Sequence, residues 1–135
     1  RLPMADGTNP IILLARITVK PGQLDAYLDL AATVDAAVEA SEPGMLFHNL
    51  DQDSVDPHKL VWTEVYRRSD DFLFHADNPP VLAYVEQHAQ SALDFAIEIY
   101  GNVSQAVIDL IDERGIPLRH FPTTPVGFVR SERFA

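Results

Sequence analysis

Between residues 11 and 100 the hydrophobic period changes from two residues to about 3.6 and back, and the order of those changes is what most constrains the fold. Residues 11–19 are rich in β-branched side chains and alternate toward their end, so they read as a strand that Pro21-Gly22 breaks. From Gln23 the period is helical. Leu24, Tyr27, Leu28, Ala31, Val34 and Val38 share one face, with Asp25, Asp29, Asp35 and Glu39 on others. This helix ends near Ser41, where Glu42-Pro43-Gly44 stops it. Residues 45–51 and 59–66 read as two strands across a polar turn carrying Asp53, Asp56 and Pro57, a hairpin.

Ser69 is expected to cap the next helix, whose first turn holds Asp70 and Asp71, where the helix dipole favours negative charge. Asn78-Pro79-Pro80 interrupts that helix. Asn78 can cap again with Pro79 at the first helical position, and Leu82, Val85, Ala89 and Leu93 then point inward. Residues 94–100 are a fourth strand. The resulting order, β-α-β-β-α-β, predicts an α+β, ferredoxin-like unit over residues 11–101: a four-stranded antiparallel sheet with the two main helices on one face. Residues 102–135 are an appendage on the same domain or on a partner subunit. It reads as a helix over 104–114, with Val107, Ile108 and Ile111 together and Gly115 at its C-cap, followed by an extended arm from Leu118 to Arg130. Residues 1–10 look like a loose arm. Met4-Ala5-Asp6 reads like a natural start, so residues 1–3 are left out of the fold argument.

Charge and composition narrow the partners. The 135 residues suit one domain, and 20 acidic against 10 basic residues give a net charge of -10. That excess disfavours nucleic acid, which needs clustered Lys and Arg, and an anionic membrane surface. No apolar run approaches the ~20 residues that span a bilayer, and the N-terminus lacks a signal-peptide core. With no cysteine in the chain, disulfides, thiolate catalysis and Cys-based zinc sites are excluded, and a cytoplasmic location is expected. Both faces of the strands are apolar: Ile11, Leu13, Ala15 and Ile17 on one side of the first, Ile12 and Leu14 on the other. A bare second face predicts a homodimer packed sheet to sheet.

Lys20-Pro21-Gly22 after a first strand, Glu42-Pro43-Gly44 before the second, and Glu64-Val65-Tyr66 followed by Phe72 and the Phe74-His75 pair resemble the antibiotic biosynthesis monooxygenase family over residues 11–101. The resemblance implies a dimeric α+β barrel. It also implies kinship with cofactor-independent oxygenases of polyphenols and quinols, with haem-degrading enzymes and with a signal-molecule isomerase. The three positions that serve haem in the degrading branch are occupied here by Leu14, His75 and Val85, none of which matches, so haem degradation is not expected.

His75 is the first candidate catalytic residue, singled out by the family pattern. A neutral imidazole can take a hydroxyl proton near pH 7, and the plainer role is packing or capping on a short helix. As a base on a helix surface its loss would leave folding nearly intact while abolishing turnover, whereas lost stability with activity retained would assign it to packing. Glu64, mid-strand on the face of Trp62 and Tyr66, must be paired or line a cavity, with Arg16 as the obvious partner in a structural bridge that could also fix a pocket wall. His48 alternates with Leu46 and Leu50 and reads as a core histidine or a substrate contact. Trp62 and Tyr66 are pocket walls, core or dimer interface. His58, His75, His88 and His120 are spaced too irregularly for a metal motif, so no metal or cofactor is expected. The expectation is therefore a cofactor-independent monooxygenase of a small aromatic or quinol-like substrate, with a non-redox binding or isomerising protein as the alternative.

Overall fold

The computed structural model describes residues 9–133. Of the expected N-terminal arm, residues 1–8 lie outside them. The elements run β1 (Ile11–Val19), α1 (Leu24–Ser41), β2 (Met45–Gln52), β3 (Lys59–Tyr66), α2 (Ser69–Asp77), α3 (Pro79–Ser91), β4 (Ala92–Tyr100), α4 (Gln105–Glu113) and β5 (Leu118–Phe121), with a short 3-10 turn at Ser131–Arg133. The sheet order is β2-β3-β1-β4-β5. The first four strands pair antiparallel, as the period changes predict. β5 pairs parallel to β4, so the expected arm begins as a fifth strand and the sheet is mixed.

Alternation fixes which side of the sheet is covered. Ile11, Leu13, Ala15, Ile17 and Val19 are buried beneath the helices, whereas Ile12 on the opposite face is 44% exposed. α1 buries Tyr27, Ala31, Val34 and Val38, a stripe at helical spacing, in which each valine contributes about 1.5–3 kcal/mol when fully removed from water. The β2–β3 turn is held by Asp53 Oδ1, which accepts from the amides of Val55 and Asp56. Among the described residues no helix is long and apolar enough to cross a membrane.

Three local expectations are corrected. Ser69 is the first residue of α2 rather than its cap, and its hydroxyl accepts from the Ser104 amide, tying the start of α4 to the start of α2. Asn78 does hold the N-cap position with Pro79 following, but its carbonyl receives the Val81 and Leu82 amides while its side chain turns elsewhere. On α3 the buried face is Val81, Tyr84 and His88, whereas Leu82, Val85 and Ala89 are exposed; Leu93 belongs to β4 and is exposed as well. The helix is rotated from the purely apolar reading because Tyr84 and His88 carry polar tips that find partners inside.

Candidate functional site

The strand register brings the polar residues of the covered face together. Glu64 lies opposite Leu13 on one side and His48 on the other. Above it sits α2, whose last turn carries His75. Despite its place on a short helix, His75 is buried, 9% exposed, so its loss would disturb the core as well as any chemistry. Its Nδ1 donates to Glu42, 2.9 Å from Oε1 and 3.0 Å from Oε2, and its Nε2 stands 3.9 Å from Glu64 Oε1.

Glu42 is the residue the sequence hid. The motif Glu42-Pro43-Gly44 reads as a helix stop, and it is one: the Glu42 amide still bonds to the Val38 carbonyl. The same turn drives the carboxylate inward, where Asn78 Nδ2 donates to Oε2 at 2.9 Å and to Ser41 Oγ at 3.0 Å. Pro79 prevents Asn78 from taking helical geometry, and this frees its amide for that role. Gly44 leaves room for the turn, since a Cβ there would collide with the Asp71 carboxylate.

The electrostatics follow. Burial pushes His75 down, but the hydrogen bond to Glu42 and the negative charges of Glu64 and Glu42 prevail, and the imidazole titrates above its ordinary 6.5. With Nδ1–H committed to Glu42, the neutral ring offers a bare Nε2 toward Glu64. Tyr66 donates its hydroxyl to Glu64 Oε1; burial and the charge of Glu64 hold that phenol well above its usual range, so it stays a donor.

These groups face an apolar cavity of about 70 Å³ between the sheet and α2, α3 and α4. Leu13, Phe72, Val81, Phe95, Ile97 and Leu110 are among its walls, and Glu64, His75 and Arg114 are its charged or titratable groups. Ligand pockets usually hold roughly 300–1,000 Å³, so a ring-sized occupant requires these walls to part. Arg114 is clipped to the end of α2, NH1 donating to the Ala76 carbonyl at 2.7 Å and NH2 to Asp77 Oδ1 at 2.6 Å.

Of the site residues expected from sequence, Glu64 and His75 line this cavity. Tyr66, Trp62 and His48 gather around Glu64 but do not line it. Trp62 is buried, stacked on His48 with ring centroids 4.3 Å apart, and donates its Nε1–H to Tyr84 OH at 2.9 Å. Tyr84 pairs with Tyr27, whose hydroxyl lies 2.6 Å from His88 Nδ1. Burial raises Tyr84 to about 12 and lowers His88. The Arg16–Glu64 bridge does not form. Arg16 on β1 pairs with Val61 of β3 and points to the open face, where its Nε lies 2.8 Å from Glu98 Oε2. No grouping of three or more His, Asp or Glu side chains suited to a metal ion exists among the described residues.

A family model described as antibiotic biosynthesis monooxygenase matches residues 10–87. Among solved structures, a candidate antibiotic biosynthesis monooxygenase from Nitrosomonas europaea is 20% identical, with a TM-score of 0.67 over 75% of this chain and 95% of its own. One from Caulobacter crescentus is 20% identical, with a TM-score of 0.66 over 70% of this chain and 90% of its own. A conserved protein from Methanosarcina mazei is 17% identical, with a TM-score of 0.65 over 70% and 93%. At these identities the likeness concerns the fold. No curated protein matches the chain.

Proposed function

The chain belongs to the antibiotic biosynthesis monooxygenase family, and from that membership we propose that it is a cofactor-independent monooxygenase acting on a small aromatic or quinol-like molecule. One observation carries the reading: a buried histidine, held at Nδ1 by a carboxylate, presents Nε2 at the wall of an apolar cavity beside a second carboxylate. Such chemistry needs a base, a dry pocket, and a substrate that reduces oxygen itself.

The residues divide the work as follows. His75 Nε2 takes the proton of a substrate hydroxyl, and the imidazolium so formed is stabilised by Glu42 and Glu64, the arrangement that raises its pKa. The electron-rich substrate anion passes electrons to dioxygen and forms a carbon–oxygen bond. Cleavage of the O–O bond then leaves one oxygen on the ring and releases the other as water, which takes up the protons. Glu64, oriented by Tyr66, helps to hold the substrate hydroxyl. Glu42, with Asn78, fixes the imidazole. Residues 11–101 form the catalytic unit. Residues 102–133 complete the cavity, and two copies pack open face to open face, burying more than about 2,000 Å² if the interface is obligate. The apolar side chains left bare there, Ile12 and Phe47, favour that packing.

An oxygen electrode with a panel of quinols, hydroxynaphthalenes and anthrone-type phenols tests the reading. Substrate-dependent oxygen uptake that vanishes in His75→Asn is the expected result. Conversion of substrate without oxygen uptake would make the protein an isomerase, because the same base flanked by two carboxylates can also move a proton from one carbon to another.

A further inference from the structure

The polar network around Glu64 continues away from the cavity. Glu64 stands between two imidazoles: His75 Nε2 is 3.9 Å from its Oε1, and His48 Nε2 is 3.9 Å from its Oε2. Each imidazole hands its Nδ1 to a further carboxylate. For His75 that is buried Glu42; for His48 it is Asp35 Oδ1 at 2.8 Å, on α1, whose side chain is half exposed. The result is a nearly symmetric row, Glu42–His75–Glu64–His48–Asp35, with one end sealed in the core and the other in water. His48 does not line the cavity, but it does line surface openings beside α1, together with Asp35 and Asn49.

We propose that His48 and Asp35 are the proton path between the site and solvent, carrying out the proton that His75 receives while substrate fills the cavity mouth and returning one when the product water forms. The inference rests on the monooxygenase reading for its purpose and on the geometry for its route. With Nδ1–H donated to Asp35, neutral His48 presents a bare Nε2 to Glu64, as His75 does from the other side. The transfer balances. The proton on His75 Nε2 moves to Glu64 Oε1, rotation of the carboxyl about its Cγ–Cδ bond turns that O–H toward His48, and the proton passes to His48 Nε2. His48 releases its Nδ1 proton to Asp35, and Asp35 gives it to water; the return passage, from Asp35 to Nδ1 and from Nε2 to Glu64, restores the starting tautomer. A small swing of the Glu64 carboxylate, or one water on each side, spans the 3.9 Å gaps. The titratable groups facing this row are Tyr66 beside Glu64 on β3, Glu42 before β2, Asp35 on α1 and Tyr84 on α3 behind Trp62; the His48 and His75 rings are 6.1 Å apart. His48 acts through Glu64 and is a positioning and relay residue.

The test is NMR of the full chain, labelled in its histidine rings, without substrate. His48 and His75 should both be Nδ1–H tautomers. Where His75 titrates, its ring should exchange protons with water at a rate independent of phosphate concentration. In His48→Phe, which keeps a flat ring on Trp62, and in Asp35→Asn, that exchange should slow by at least about tenfold and become phosphate-dependent. An unchanged rate in either folded variant overturns the relay. Asp35→Asn decides alone if His48→Phe does not fold, because Asp35 is half exposed. Given a substrate that turns over, His48→Phe should lower kcat at constant KM, with imidazole buffer restoring it; a rise in KM alone would make His48 a substrate contact and overturn the relay. Because the exchange measurement needs no substrate, a lack of oxygen uptake by the wild type counts against the monooxygenase reading and not against the route.

Discussion

His75 Nδ1 and Glu42 Oε1 lie 2.9 Å apart although 33 residues separate them, so the turn that ends α1 and the last turn of α2 are joined through one imidazole. That contact gives His75 two separable roles. In His75→Asn the side-chain amide can still donate to Glu42, and stability should change little. His75→Ala strands a buried carboxylate and should lose about 1–3 kcal/mol in urea unfolding. Both variants should lose about 10²- to 10⁴-fold in oxygen uptake, because both lack the base. Equal stability of the two would remove the structural role.

The raised pKa of His75 has a defined sign for stability. Its protonated form is favoured in the fold, so the contribution is complete below 6.5, the ordinary value, and fades as pH rises through the higher folded value. His88, lowered by burial, works oppositely: its contribution is present above 6.5 and is lost as pH falls through the folded value. Unfolding midpoints taken from pH 5 to 9 should therefore show a decline on the alkaline side of 6.5 that Glu42→Gln flattens. An unaltered slope in that variant would mean that Glu42 does not hold the proton on His75.

Arg16 offers a control on the opposite face. Within one chain its bridge to Glu98 is exposed on the arginine side and should be worth no more than about 1 kcal/mol. Arg16→Met should thus keep both the unfolding midpoint and the KM for any substrate found. A large rise in KM would put the substrate on the open face of the sheet.

Leu110 tests the cavity itself. It is half-buried on α4 and its side chain forms part of the wall. Leu110→Trp should occupy the space, raise KM by more than about tenfold, and cost at most about 1–3 kcal/mol of overpacking. Unchanged KM with a folded variant would place binding elsewhere.

Much of this architecture is legible in the chain. The strands and helices of the β-α-β-β-α-β unit announce themselves because each buries one face and so carries its own period. β5 does not, being four residues between Pro117 and Pro122, too short for alternation to show. The Arg16 error is one of parity. Arg16 alternates with Ala15 and Ile17, which are buried, so it had to face outward, whereas Glu64 registers with Leu13 and faces in. In sequence Glu42 and Asn78 speak only through their backbones, as stop and cap. Their side-chain duties arise from a meeting of two loops 36 residues apart, which no local pattern encodes.

The walls of the cavity come from two stretches of chain, one inside the family-matched residues and one beyond them. His75, Glu64, Glu42, His48 and Asp35 all fall within the family-matched residues 10–87, whereas Phe95, Ile97, Leu110, Ile111, Arg114 and Ile116 lie beyond them. Part of the cavity's shape is thereby set by a stretch that carries none of the proposed proton-handling groups, although Leu13, Phe72 and Val81 shape it from within the matched residues. Drift in the tail can remould what the cavity admits, residue by residue, while the proton-handling groups stay where they are. A lineage carrying this appendage can change its diet without rebuilding its machinery.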